Sequence, residues 1–272
     1  MFGSDHPDVA KSYNGIGIVY DSQGKYERAL EYYQKSLEIQ IRVFGSDHLN
    51  VAKTRENMAI IYRRQGHYDQ ALEIFKSVLE TKIRVRGHEH PDVATSFINI
   101  GVVYEGKGDF ENALVQYQKG LEIKTRVFGS DHPDVATSFI NIGAVYAGKG
   151  DNENALVQYQ KGLEIQTRVF GSDHPDVAAS FNNIGLVYEK KGDLENALVQ
   201  HQKALEIRTR VFGSDHPDVA MSKYNIASLK KTQGDLEGAR RLFLECEQIY
   251  LKAYGPDHSE TVDAARQASR CV

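Results

Sequence analysis

GSDHPDVATSFINIGAVYAGKGDNENALVQYQKGLEIQTRVF, residues 129–170, is one copy of a unit that returns along the chain every 42 residues. The copy before it, residues 87–128, differs at six positions, and the opening glycines recur as Gly3, Gly45, Gly87, Gly129, Gly171, Gly213 and Gly255. The 272 residues divide into six units, 3–44, 45–86, 87–128, 129–170, 171–212 and 213–254, with a partial seventh at 255–272. Length alone would suggest one or two globular domains. A fixed period of this size predicts instead a stacked array, one repeat domain spanning 1–272.

Each unit can be numbered 1 to 42 from its glycine. Position 5 is Pro7, Pro91, Pro133, Pro175 or Pro217 in five of the seven copies. Proline suits the first turn of a helix, where its missing N–H would have no intrahelical partner. The aspartates beside it suit the positive end of the helix dipole. A helix A is therefore predicted from about position 5 to position 20. Position 22 is glycine in every full unit (Gly24, Gly66, Gly108, Gly150, Gly192, Gly234) and ends that helix. A helix B is predicted from about position 24 to 41, roughly 27 Å long, until the next unit's glycine stops it.

Helix A places apolar or aromatic residues at positions 7, 11, 14 and 18, as in Val93, Phe97, Ile100 and Tyr104. These fall within about 60° of one another and form the expected core stripe. Position 15 is always small (Gly17, Ala59, Gly101, Gly143, Gly185, Ala227), and so is position 27 (Ala29, Ala71, Ala113, Ala155, Ala197, Ala239). A ring usually stands at position 31 (Tyr33, Phe75, Tyr117, Tyr159, Phe243). Small residues beside large ones at fixed points let two helices approach closely. Neither helix can bury its face alone, so the pairs must stack.

Composition excludes several functions. With 33 basic against 37 acidic residues and a net charge of -4, the chain has no polyanion-binding signature, and nucleic acid is not an expected partner. No apolar run reaches the ~18 residues of a membrane span, and the N-terminus has no signal-peptide pattern. Cys246 and Cys271 make no disulfide framework, so a reducing compartment, the cytoplasm, is expected. No nucleophile–base pairing, Walker-type loop or dinucleotide fingerprint occurs; Gly106-x-Gly108 falls in a helix–helix turn. Neither an enzyme nor a cofactor is expected.

Written as spacing, the unit is aromatic-x2-Ile-Gly-x2-Tyr followed by Ala-x3-aromatic. In this it resembles the tetratricopeptide repeat, over residues 3–272, with 42 residues in place of the family's usual 34. The long form has His-Pro-Asp-Val-Ala at its start and Asn-Ile-Gly or Asn-Met-Ala inside helix A. It is similar to the cargo-binding repeats of kinesin light chains, and to 42-residue repeats of other scaffold proteins. The resemblance implies an all-α, right-handed superhelical solenoid of antiparallel helix pairs, a non-enzymatic scaffold whose A helices line a concave wall. The coiled coil that precedes such repeats in kinesin light chains has no counterpart in the sequence. Phe2 stands where Phe44, Phe128, Phe170 and Phe212 close their units, as in a piece of a longer array.

Positions 9, 13, 16 and 20 lie on the side of helix A opposite the core stripe, yet two of them are constant in character. Position 13 is Asn57, Asn99, Asn141, Asn183 and Asn225, with Gly15 in the first unit. Position 16 is Ile18, Ile60, Val102, Ala144 and Leu186, then Ser228. A carboxamide both donates and accepts, so it can pair with the backbone of an extended peptide whatever its side chains, and the aliphatic residue beside it can hold an apolar anchor. By resemblance to the kinesin light chain groove, these asparagines hold peptides that combine tryptophan with acidic residues. Lys11, Lys53, Arg63 and Arg64 would add positive charge in the first two units, favouring an acidic partner there. The other reading is that the amides bond neighbouring repeats and serve the stack.

Seven histidines occupy position 4 (His6, His48, His90, His132, His174, His216, His258). Zinc needs three or four converging ligands, whereas successive copies lie roughly 10 Å apart. A role in starting the helix and touching the neighbouring repeat is therefore expected, with no metal. Glu38/Arg42, Glu80/Arg84, Glu122/Arg126, Glu164/Arg168 and Glu206/Arg210 are spaced as i,i+4 ion pairs. The sixth unit carries Arg240 and Glu247 where the others have leucine, as a terminal unit does, and Ser259 to Arg270 reads as a capping helix. The first helix is expected to leave Tyr13, Ile16 and Tyr20 partly exposed. That supports a second function, end-to-end self-association through the first repeat.

Overall fold

The structure, a computed structural model, describes residues 6–271, so Phe2 and Gly3 lie outside the described residues. The chain forms two compact units, Met1–Ser130 and Asp131–Val272. The first contains α1 (Pro7–Ser22), α2 (Tyr26–Phe44), α3 (Leu49–Arg64), α4 (Tyr68–Arg86), α5 (Pro91–Gly106) and α6 (Phe110–Phe128). The second contains α7 (Pro133–Lys149), α8 (Asn152–Phe170), α9 (Pro175–Lys190), α10 (Leu194–Phe212), α11 (Pro217–Thr232), α12 (Leu236–Tyr254) and α13 (Ser259–Ser269). Odd-numbered helices are the predicted A helices and even-numbered ones the B helices, each B helix one residue longer than expected. Among the described residues there is no strand, and no helix is long and apolar enough to cross a membrane.

The histidines of position 4 start the A helices. In His6, His48, His90, His132, His174 and His216, Nδ1 accepts the backbone N–H two residues on, at 3.1 to 3.2 Å. This satisfies one of the donors that a helix start leaves open. The rings of His48, His174 and His216 also stack on Phe44, Phe170 and Phe212 at the end of the preceding B helix. At the other boundary Gly171 ends α8 with φ 86° and ψ 164°, a conformation essentially reserved for glycine. Helices α6, α8, α10 and α12 start on Asp109, Asp151, Asp193 and Asp235, whose carboxylates accept the N–H three residues on.

The core stripe of helix A is wider than the expected one. Positions 7 and 14 are buried (Val93, Ile100), but so are positions 8 and 17 (Ala94, Val103), whereas the rings at 11 and 18 (Phe97, Tyr104) are half-buried. The reason is that α3, α5, α9 and α11 each pack against two B helices, their own and the preceding one, which buries two adjoining faces. The rings sit at the margin, where lysines cover them: Lys119 over Phe97, Lys161 over Phe139 and Lys203 over Phe181.

Four of the five expected i,i+4 pairs, those of Arg84, Arg126, Arg168 and Arg210, are corrected. Arg84, Arg126, Arg168 and Arg210 pair with the position 3 acids Asp47, Glu89, Asp131 and Asp173, and Lys252 with Asp215. The chain returns alongside its own start after 37 residues, bringing an acid closer to the guanidinium than the glutamate one turn away. Glu38, Glu122 and Glu164 instead accept from Gln34, Gln118 and Gln160.

Within each unit a buried polar seam that the sequence reading did not anticipate runs between repeats. At three seams position 38 of helix B meets the hydroxyl at position 10 of the next helix A. Thr54 Oγ1 donates to Gln40 at 2.9 Å, Ser180 Oγ to Gln166 at 2.5 Å, and Arg208 donates to Ser222 Oγ at 2.7 Å. Lys82 donates to Glu56 at 2.6 Å in a pair that is nearly buried on both sides, and Ser96 contacts the same carboxylate. Buried polar groups are tolerated because each finds a partner, and the pairing fixes how one helix pair seats on the next.

Candidate peptide-binding face

The A helices are held against their own B helices by the ring at position 31. A Cβ added to Gly17, Gly101, Gly143 or Gly185 would come within 2.6, 2.9, 2.8 or 2.7 Å of the ring of Tyr33, Tyr117, Tyr159 or His201. Where position 15 is alanine, in Ala59 and Ala227, the ring is Phe75 or Phe243. Two polar rings take a carboxylate at position 19: Tyr117 Oη donates to Glu105 at 2.7 Å, and His201 Nε2 lies 2.7 Å from Glu189, whereas Tyr159 has Ala147 there. Tyr33 is pushed up to about 12 by burial, with Asp21 adding to the shift. The phenylalanine repeats carry Arg63 and Lys231 at position 19 instead. Where position 19 is glutamate it therefore serves the ring behind it, a pairing legible in the sequence but not recognised there.

That anchoring leaves the opposite side of each A helix free of the core. Asn57, Asn99, Asn141, Asn183 and Asn225 are all half-buried on it. They divide into two groups. Asn57 Nδ2 donates to Asn14 at 3.4 Å and Asn225 Nδ2 donates to Asn182 at 2.6 Å, each reaching the A helix of the preceding repeat. Asn14 and Asn182 occupy position 12, which is isoleucine in Ile98 and Ile140. Among the described residues, the carboxamides of Asn99, Asn141 and Asn183 make no hydrogen bond. Of the aliphatic row, Ile60 and Val102 are half-buried, whereas Ile18 and Leu186 are 48% and 39% exposed.

The expected cations are placed unevenly. Lys11 and Lys53 are exposed and line one cavity of about 450 Å³ between α1, α2 and α3, together with Asn14 and Gln40. Arg63 is half-buried and close enough to Tyr117 to favour its ionised form, against the burial that dominates. Arg64 is spent on Asp21, 2.5 Å away. It is not a free groove charge, which corrects its expected role. Cys246 and Cys271 are buried and unpaired, and burial pushes the Cys246 thiol up to about 12.

Antiparallel helix pairs, glycine-and-ring packing within a pair and a polar seam between pairs define a helical-repeat protein. The chain belongs to the tetratricopeptide repeat family, whose family model matches residues 8–83, 77–126, 92–167, 134–208 and 176–252. Its fold is similar to that of BtubC (BKLC) from P. vanneervenii, with TM-score 0.72 and 23% identity over 85% of this chain and 92% of that one. It is also similar to a Podosopora anserina protein described by its "kinesin light chain nearly identical TPR-like repeats", with TM-score 0.65 and 21% identity over 76% of this chain and 98% of that one. A third likeness is to a Signal Transduction ATPase with Numerous Domains from Pyrococcus horikoshii that has a tetratricopeptide repeat sensor. There the TM-score is 0.73 and the identity 15%, over 97% of this chain and 38% of that one. No curated protein matches the sequence.

Proposed function

We propose that the protein is a non-enzymatic interaction scaffold that holds an extended segment of a partner protein along the exposed side of its A helices. The observation that carries this reading is the set of unpaired carboxamides, Asn99 in one unit and Asn141 and Asn183 in the other. Each is half-buried, so part of its desolvation cost is already met, and each keeps donors and an acceptor open for a peptide backbone. Val102 and Leu186 lie three positions further along α5 and α9, one turn away, where an apolar side chain of the ligand would seat. Exposed Lys11 and Lys53 favour an acidic segment at the first repeats, and a reducing cytoplasm suits two unpaired cysteines.

A fluorescein-labelled peptide combining tryptophan with aspartates tests this reading by fluorescence anisotropy. Saturable binding that weakens at least fivefold in Lys11→Ala/Lys53→Ala supports it. No binding by that peptide, or by any member of a peptide array screened against the intact chain, overturns it. The second reading, self-association, rests on the apolar surface of α1, where Ile16, Ile18 and Val19 are 39%, 48% and 54% exposed. Tyr13 and Tyr20 are half-buried and both face Tyr32, at 6.0 and 5.5 Å between ring centroids. Light scattering over a concentration series, with and without Val19→Glu, tests it; a concentration-independent monomer contradicts it.

A further inference from the structure

A second, chemically different notch lies in the unit Asp131–Val272, between α11, α12 and α13. It encloses about 440 Å³ and its walls include Met221, Tyr224, Tyr250, Tyr254, Glu260 and Asp263. Tyr250 and Tyr254 stack at 6.0 Å between centroids. Tyr224 Oη donates to Asp263 at 2.5 Å, which fixes one carboxylate at the rim, and burial together with that contact pushes Tyr224 up to about 12. Glu260 accepts from Ser259 Oγ and lies 2.6 Å from His258 Nδ1. The charged groups lining the notch, Asp218, Glu260 and Asp263, are all acidic. Of the groups near it, buried Arg208 donates to Ser222 and the Asp218 carbonyl, while Arg266, 3.8 Å from Asp263, and His258, beside Glu260, flank the carboxylates without lining the notch.

One polar group open to a ligand in the notch is Tyr250. It is only 5% exposed, it lines the notch, and among the described residues its hydroxyl has no hydrogen-bond partner. At three other seams position 38 meets a hydroxyl on the next helix; here the residue at position 10 is Ala264, which offers none. Aromatic faces attract cations through the ring quadrupole, and carboxylates at the rim complete a site for a positive charge with an apolar stem.

From this geometry we infer that the notch binds a cationic side chain, arginine or lysine, presented by a basic segment of a partner protein. The stem lies against Met221 and Tyr254, the cationic head meets Glu260 and Asp263, and the Tyr250 hydroxyl accepts one of its N–H donors. The inference does not depend on the asparagine row, and it calls for a ligand of charge opposite to the one that suits Lys11 and Lys53.

The test is anisotropy titration of the full chain with a fluorescein-labelled decapeptide of alternating arginine and glycine, beside the same peptide with glutamate in place of arginine. The arginine peptide is expected to bind and the glutamate peptide not. Tyr254→Ala, at a ring 48% exposed, is expected to weaken binding about tenfold and Tyr250→Phe about threefold. Neither changes net charge, so such losses do not arise from general attraction to an acidic protein. Glu260→Gln, at an exposed side chain, is expected to weaken binding at least fivefold with the melting temperature retained. Unchanged affinity in Tyr254→Ala and Glu260→Gln, or equal binding of the two peptides, overturns the inference. Tetramethylammonium displacing the peptide far better than potassium at equal ionic strength also overturns it, in favour of a small organic cation.

Discussion

At the seam between α10 and α11, Arg208 at position 38 is buried and bonded to Ser222 at position 10 of the next helix. At the seam between α12 and α13 the same two positions are Tyr250 and Ala264, and no bond closes across them. The first seam uses its polar pair to lock one repeat on the next. The second leaves the hydroxyl of Tyr250 without a partner among the described residues, at a tyrosine-lined notch. One geometry thus supplies either cohesion or recognition, depending on whether the helix that arrives carries a hydroxyl. The buried guanidinium shows what cohesion costs: burial lowers the Arg208 pKa, and the nearby Asp218 only partly offsets that.

Breaking a closed seam has the largest expected effect. Lys82→Ala leaves Glu56 in a nearly buried site without its counter-ion, and a loss of about 3 kcal/mol is expected in urea denaturation. Next comes the frame that both kinds of seam require. Gly185→Ala drives a Cβ into the His201 ring and is expected to cost about 2 kcal/mol.

Acid has a smaller effect and acts on the helix starts rather than the seams. Asp109, Asp151 and Asp193 are held below the usual 3.8, chiefly by the side-chain hydrogen bonds of Asn112, Asn154 and Asn196, and Asp235 chiefly by that of Lys230. A carboxylate depressed in the folded state stabilises above its unfolded pKa and ceases to do so as pH falls through its folded one. The melting temperature is therefore expected to decline below about pH 4, and less steeply in a variant with these aspartates changed to asparagine.

The smallest change sharpens the comparison most. Tyr250→Phe removes a hydroxyl that has no partner in the chain, so stability should stay within about 0.5 kcal/mol. A substantial loss would mean that the last seam is closed after all.

The fold was legible because period, proline, glycine and small-beside-ring spacing each report a backbone requirement that sequence alone expresses. Helix starts at Pro7 and Pro91 and the close approach at Gly101 follow from such local rules. The seam was missed for a different reason: Gln40, Lys82 and Arg208 look like solvent-facing residues when helix B is viewed alone, and only stacking buries them. A polar residue fixed at one position, with a hydroxyl fixed fourteen residues on, was the available signal. The candidate face was half legible. Position 13 could be seen to be asparagine, but which amides are spent depends on position 12 of the preceding repeat: Asn14 and Asn182 consume their neighbours, while Ile140 cannot.

That division gives the most direct measurement. Two double variants, Asn141→Ala/Asn183→Ala and Asn57→Ala/Asn225→Ala, are compared for affinity towards the tryptophan-and-aspartate peptide and for melting temperature. The account predicts that the first pair loses at least tenfold in affinity and keeps its melting temperature, while the second is measurably destabilised. A fall in melting temperature for the first pair with binding unchanged would contradict it, and would make the asparagines part of the stack alone.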